Sequence, residues 1–328
     1  YSSPDLHFAD SHVEEMEPYG LSSWWNLRND DMFVYRWGDP DYVRDFLKNM
    51  PEENTAGYYM GSDGYVWGRE FISKDSRLSG QLEIKKHWYN FLMWGRLGYD
   101  QGLDESYFIK KLEQSYGLED GTALYGLWKT ASGIIPLVNR FHWRDWDHHW
   151  SVESCQARPV LGGYRDVFDF MDNPTLERSG ILNPREFVAG LASGRDAKGI
   201  TPLEIAASLE HMADEVLQGV GELEKLSRTP DYQVLIDDLL AQAMLGNYYS
   251  SKIRAALGLA SFELSGNPGD KKEVLLELEA SQNHWLDYAE ISVRNYRPQM
   301  LARVNRMDWY AVADSIQTEI NQVKRYIK

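Results

Sequence analysis

Hydrophobic positions along the chain change their period near residue 80. From Gln81 onward, apolar residues recur at i, i+3, i+4 and i+7, the spacing of a helix with one buried face. The pattern predicts a helix over Gln81–Tyr99, carrying Leu82, Trp88, Tyr89, Leu92 and Met93. It predicts another over Asp104–Tyr116, with Asp104 as N-cap and Gly117 as C-cap. Thr122–Phe141 reads as a helix broken or kinked at Pro136. After an irregular stretch, Arg144–Gly163, come a short helix near Tyr164–Met171 and another at Pro184–Leu191, the latter inside a Pro/Gly-rich connector. Thr201-Pro202-Leu203-Glu204 opens a helix to about Leu226. Three long helices are predicted last, over Tyr232–Leu264, Asp270–Tyr296 and Trp309–Ile327. Their stripes, such as Leu235, Ile236, Leu239, Leu240, Ala243 and Met244, read as core. No strand is expected after Gln81.

The front of the chain follows a different rule. A short helix over His12–Met16 is followed by a strand at Leu21–Leu27 that runs into the turn Arg28-Asn29-Asp30-Asp31. Asp39-Pro40 then caps and starts a helix, Asp41–Asn49, with Val43, Phe46, Leu47 and Met50 on one face. Thr55–Met60 is a second strand, and it leads into a loop broken by Gly61, Gly64 and Gly68. Strands whose C-terminal ends deliver polar groups to one side are the way a parallel α/β barrel builds a site. Two such units fall well short of the eight that close a barrel. The expected fold class is therefore α+β to mostly α. Residues 1–77 would be the last strand–helix units of a (β/α)8 barrel and residues 78–328 a large α-helical domain. A missing N-terminal part of the same polypeptide would complete the barrel; the rival arrangement is a small independent α/β cap.

Composition narrows the field. Apolar residues make up 43% of 328, so the chain is globular. No apolar run approaches the roughly 20 residues that span a bilayer. The opening YSSPDLHFADSH lacks the basic and apolar regions of a signal peptide, which fits a cytoplasmic protein, a processed one or part of a longer one. A single cysteine, Cys155, rules out an internal disulfide framework. A net charge of −16 argues against nucleic acid and anionic membranes as partners. An anionic substrate would have to be met by local arginines. The 12 Trp, 20 Tyr and 11 Phe either fill a helical core or stack on sugar rings. Trp24, Trp25, Trp37, Trp67, Trp143, Trp146 and Trp150 stand among charged residues rather than in helical stripes, which favours the sugar.

Three segments carry candidate chemistry. In Arg28–Asp31, adjacent carboxylates repel, so one can hold a raised pKa as a general acid needs. The structural alternative pairs Asp30 or Asp31 with Arg28 or Arg36. In residues 61–70, glycines allow close backbone approach to a ligand. There Asp63 can hold a sugar hydroxyl or act as base, and Arg69 can grip a carboxylate through two hydrogen bonds, unless it pairs with Glu70 or Asp63. In residues 141–155, the run FHWRDWDHHWSVESC has no amphipathic period. It reads as a sugar-contacting loop using Asp147 or Glu153, as a buried network between helices, or as a metal site from His142, Asp147, His148 and His149. The last matches no zinc spacing. His87 lies on a strong helix and reads as a packing residue.

The run His87-Trp88-Tyr89-Asn90-Phe91-Leu92-Met93-Trp94-Gly95-Arg96-Leu97-Gly98-Tyr99-Asp100 resembles the junction between barrel and helical domain in family 67 glycoside hydrolases, the α-glucuronidases. Met93-Trp94 stands as an insertion before Gly95, and Gln101-Gly102 replaces a proline step. The preceding WWNLRNDD and GYYMGSDGYVWGREF segments resemble α-glucuronidase-like hydrolases of polysaccharide-degrading bacteria. The resemblance implies hydrolysis of a glycosidic bond by carboxylates, without a cofactor, on oligosaccharides from plant or algal polysaccharide that can contain uronic acid. It places the catalytic acid on an earlier strand, outside this chain. Asp30, Asp31 and Asp63 are then positional candidates for catalysis. Arg28, Trp25, Trp37, Tyr65, Trp67, Arg69, Glu70, His142, Trp143, Asp147, Trp150 and Glu153 are candidates for holding substrate. The fragment alone is expected to be inactive, the whole enzyme periplasmic or secreted, and the helical domain open to homodimer formation. A non-catalytic carbohydrate-binding or docking module is the alternative from another class. A uronate lyase using His148 or Tyr65 as base is the third.

Overall fold

A computed structural model describes residues 17–26, 35–50, 55–59, 73–75, 83–143, 148, 151–194, 198–301 and 304–327. The expected helix at His12–Met16 lies outside these residues. The body is organised round one helix, α10, Pro230–Ser265, 36 residues long. Thr229-Pro230 starts it, and Gly266 ends it in the left-handed conformation that a residue lacking Cβ adopts freely. Buried residues cover most of α10, from Leu235 and Leu239 to Tyr248, Tyr249, Ala256 and Leu259, and leave a narrow, partly exposed stripe through Asp237, Met244 and Arg254. A helix buried over most of its surface needs neighbours on several sides.

Those neighbours come from before and after it. α9 (Pro202–Leu223) opens with a reciprocal capping box between Thr201 and Glu204. α11 (Pro268–Asn295) follows after only two residues, Gly266 and Asn267, so it must fold back along α10 as an antiparallel partner. α5 (Thr122–Ser132) and α6 (Ile134–Phe141) cover another side, and α7 (Val167–Asp172) and α8 (Pro184–Ala192) a third. α12 (Trp309–Arg325) packs on α11. Trp285, Tyr248, Tyr249, Tyr288 and Trp309 fill the space between them.

The front half attaches to this body through two shorter helices. α1 (Pro40–Lys48) is capped by Asp39, whose carboxylate accepts from the N–H groups of Asp41 and Tyr42. It buries Val43, Phe46 and Leu47 against α3 (Trp88–Tyr99). α2 (Glu83–Lys86) precedes α3, and α4 (Glu105–Tyr116) lies against α5. β1 (Ser23–Asn26) and β2 (Thr55–Tyr59) form a parallel pair.

Three details differ from the sequence reading. The helix expected over Thr122–Phe141 breaks at Gly133, not Pro136. Pro136 occupies the third position of α6, where an amide has no partner in its own helix, so its missing N–H costs nothing. The helix expected from Gln81 is interrupted at His87. A hairpin, β3 (Gln299–Leu301) and β4 (Asn305–Met307), lies where no strand was expected, because three-residue strands leave no readable alternation. Mostly helical content is confirmed, but among the described residues there is no barrel, only this parallel pair and the β3–β4 hairpin.

Leu239, fully buried on α10, tests the central position of that helix. Leu239→Ala should lower the unfolding free energy by about 2–5 kcal/mol in urea denaturation, the cost of a cavity in a tight core. A loss below about 1 kcal/mol would contradict it.

Candidate functional site

β1 and β2 run in the same direction with Trp25 opposite Tyr58 and Asn26 opposite Tyr59. The chain therefore leaves both strands from one edge of the pair, at partnered residues. The two segments that leave carry Arg28, Asp30 and Asp31 in one case and Asp63, Tyr65, Trp67, Arg69 and Glu70 in the other. These residues, with Asp147 and Trp150, lie outside the described ones. Of Trp25, the backbone is described and its place in β1 is as expected.

β2 is keyed to the helical body at one point. Tyr58 donates its hydroxyl to the carbonyl of Trp94 at 2.5 Å, with its ring edge-on to the Trp94 indole. The space for that hydroxyl exists because residue 98 is glycine: a Cβ there would stand 1.6 Å from the Tyr58 oxygen. This contact gives Gly98 a physical purpose.

The segment that follows the first acidic turn is held far more heavily. Tyr35, Arg36 and Trp37 are each 1% exposed. The Tyr35 N–H donates to the Glu153 carboxylate at 3.2 Å, and its phenol is 2.5 Å from the Ser292 hydroxyl. The Arg36 guanidinium reaches Asp238 and Asp231, both at 2.6 Å. Its carbonyl accepts from the Trp128 indole at 3.2 Å and the Gln242 amide at 3.1 Å. The Trp37 indole donates to the Ser132 carbonyl at 2.8 Å, and the Gly38 N–H to the Ser132 hydroxyl at 2.8 Å. Tyr296 donates to the other oxygen of Asp238 at 2.5 Å. Burial works against the Arg36 charge, but Asp238, then Tyr296 and Asp231, more than offset it and hold the guanidinium well above its ordinary pKa. Burial pushes the Asp238 carboxyl up, with Arg36 and Lys86 opposing it.

These contacts correct several expectations. Arg36, considered as a partner for Asp30 or Asp31, pairs with residues of α10 about two hundred positions away. Trp37 is a core residue, not a wall of a cleft. Glu153 is buried at 1% exposure, with one carboxylate oxygen on the Tyr35 amide and its carbonyl on the Tyr288 hydroxyl at 2.9 Å. His142 is buried and hydrogen-bonded to the Asn173 amide, with its ring 4.3 Å from that of His148. Trp143 is half-buried and gives its N–H to the Pro174 carbonyl. The run around residues 142–155 is thus, where described, the buried network between helices that was one of its readings. No group of three or more His, Cys, Asp or Glu side chains among the described residues is placed to hold a metal.

A second buried cluster was missed. Lys252, 0% exposed, donates to Glu319 at 2.8 Å and to the Tyr164 hydroxyl at 2.7 Å. Tyr164 donates to the other Glu319 oxygen at 2.7 Å, and Tyr248 bridges from Tyr164 to the Cys155 sulfur. Burial raises the Cys155 thiol pKa, so it stays protonated. The signal was present in the sequence: Glu319 sits three residues after Ile316 and four before Val323, inside an apolar stripe, as Asp238 sits four after Val234 and three before Ala241.

No protein-family model matches the chain, and no curated protein does. Among solved structures, it is similar to one described as a GH138 enzyme targeting pectin rhamnogalacturonan II, with a TM-score of 0.77 and 15% identity. The likeness covers 99% of this chain and 50% of that one, so this chain spans half the length of that structure. At this identity the likeness establishes a shared fold. It is the fold of a glycoside hydrolase structure, and not specifically of family 67.

The keyed contacts can be tested directly. Gly98→Ala should cost about 1–3 kcal/mol by overpacking against Tyr58, and Tyr58→Ala should cost less in that background than in the wild type. Strict additivity in the double-mutant cycle would contradict the contact. Asp39, the cap of α1, has its pKa raised from 3.8 to about 6 by burial, with Asp41 adding to the rise and backbone N–H groups and Lys129 opposing it. The folded chain therefore keeps a proton there that the unfolded chain has lost. Its stabilising contribution is complete below about pH 4 and fades as pH rises through about 6. Asp39→Asn, which still caps, should flatten the fall in stability between about pH 4 and 6 by roughly 3 kcal/mol or less. An unchanged slope would refute this.

Proposed function

We propose that this chain is the part of a glycoside hydrolase that joins the closing strands of a (β/α)8 barrel to its helical body. The carrying observation is the parallel pair itself. Parallel strands occur in sheets covered on both faces, and two strands alone are not a stable sheet. β1 nonetheless leaves Trp24 64% exposed, next to Leu21 at 55% and Tyr19 at 73%. An apolar strand face of this kind fits against further strands of the same polypeptide. The half-length likeness to a glycoside hydrolase structure supports the same arrangement.

In this reading, the edge from which both strands depart faces the sugar. Asp30, Asp31 and Asp63 supply carboxylates to that face, and Arg28 and Arg69 meet a substrate carboxylate. The chain's net charge of −16 makes such local arginines necessary for any uronic acid. The tryptophans and tyrosines of the two segments, Trp67 and Tyr65 among them, stack on the sugar rings. The substrate class is an oligosaccharide from plant polysaccharide, with uronate-containing pectic fragments the first choice. Hydrolysis requires a carboxylic acid to protonate the leaving oxygen and a carboxylate to activate water or attack the sugar. The acid comes from the barrel strands outside this chain.

The test uses the polypeptide that includes the whole barrel, incubated with pectic oligosaccharides and followed by chromatography of the products. Wild type should release sugar, and Asp63→Asn should lose about 10²–10⁴-fold in kcat with an unchanged melting temperature. Near-normal turnover would remove Asp63 from the site. Binding without any bond cleavage by the wild type would replace the enzyme with a carbohydrate-binding module.

A further inference from the structure

Among the described residues of the front half, the backbone tied to the body by the most hydrogen bonds is Tyr35–Asp39, which follows Arg28, Asp30 and Asp31 in the chain. Packing alone would secure it: Tyr35 and Trp37 are buried aromatics, and Gly38 lets the chain pass so close to Tyr89 that a Cβ would stand 2.7 Å from the ring. Burying the Arg36 charge beside them is not needed for stability. Apolar side chains of similar volume are often as stable as a buried ion pair. What an ion cluster adds is direction. Arg36 is stretched between Asp231 and Asp238 at 2.6 Å each, and its own N–H also points to Asp238, at 3.3 Å. Tyr296 locks the far oxygen of Asp238, and Lys86 lies 4.6 Å over the Tyr296 ring. Side chain, amide and carbonyl of one residue are thus all tied to α10 or α5. Displacing the chain by one residue, or rotating it, would break all three ties.

We infer that Arg36, held by Asp231 and Asp238, is a positioning residue: it fixes the register and direction of the backbone at residues 35–39, the anchor that follows the acidic turn in the chain. This rests on the glycoside hydrolase reading. It makes the helical body a determinant of the site's geometry. Tyr58 in the notch at Gly98 ties β2 to the same body. A misplacement of about 1 Å at a reacting group can cost on the order of 10²-fold in rate.

The experiment separates position from stability in the polypeptide with the whole barrel. Arg36→Lys keeps the charge but cannot span both carboxylates. The triple variant Arg36→Met, Asp238→Leu, Tyr296→Phe removes the cluster and fills its volume with apolar groups. The triple variant is expected to melt near the wild-type temperature, yet both variants should lose roughly tenfold or more in kcat with KM changed by less than about threefold. Amides 35–39 should exchange hydrogen faster than in the wild type while those of α10 do not. A stably folded triple variant with wild-type kcat, or with unchanged exchange at 35–39, would overturn the inference. If the triple variant melts early, Arg36→Lys decides alone by the same two readouts. Should the wild type cleave no glycoside at all, the functional reading fails separately, and the exchange rates still decide whether Arg36 fixes this backbone.

Discussion

One buried charge sets how the front of this chain is aligned on its helical body. Arg36 sits among aromatic side chains at 1% exposure, where an isolated guanidinium would cost several kcal/mol. It is tolerated because Asp238 is aimed at it from α10, because Asp231 meets its other terminal nitrogen at the helix start, and because Tyr296 holds the far oxygen of Asp238; its Nε is buried without a partner. Every partner lies far away in sequence. The front segment finds its partners only where α10 and the end of α11 lie together, so its placement depends on the helical body.

The same logic explains why so much polar chemistry is buried in a chain whose helices look amphipathic. α10 is buried over most of its surface, and Asp238, Gln242 and Lys252 fall away from the narrow, partly exposed stripe that carries Asp237 and Arg254. Each instead meets a dedicated partner: Arg36 for Asp238, the Arg36 carbonyl for Gln242, and Glu319 with Tyr164 for Lys252. Glu153 and Cys155 serve the turn between them. Cys155 takes a left-handed backbone, φ 51°, strained for a residue with a Cβ, and is held there by the Arg165 amide on its carbonyl at 2.8 Å. These networks make the body a rigid platform.

What could be read from the sequence was mainly local. Asp39-Pro40, Asp104 with Gly117, and Thr201-Pro202 with Glu204 name helix ends by chemistry contained within a few residues of each end, and all formed as expected. The two strands were legible because turn residues bracket them. The break at Gly133 was misplaced because proline early in a helix and proline within one look alike until the start is known. Trp37, His142 and Glu153 were assigned to a sugar cleft because a dense mixture of aromatic and charged residues has the same composition whether it lines a cleft or fills a buried network. Only long-range partners distinguish the two, and those partners, Ser132, Asn173 and Tyr35, are not sequence neighbours. The clue that did exist was periodic: a charged residue at a core position of a helix, such as Asp238 or Glu319, announces a buried counter-charge without saying which.

The central claim is that the Arg36–Asp238 pair couples the front of the chain to the body. A double-mutant cycle in urea, with Arg36→Met and Asp238→Leu singly and together, measures it most directly. Each single change strands a buried charge and should cost about 3–5 kcal/mol, whereas the double variant should lie closer to wild type than either, a coupling of roughly 2 kcal/mol or more. Costs that add to within about 0.5 kcal/mol would show that the two residues do not hold each other, and the account built on them would fail.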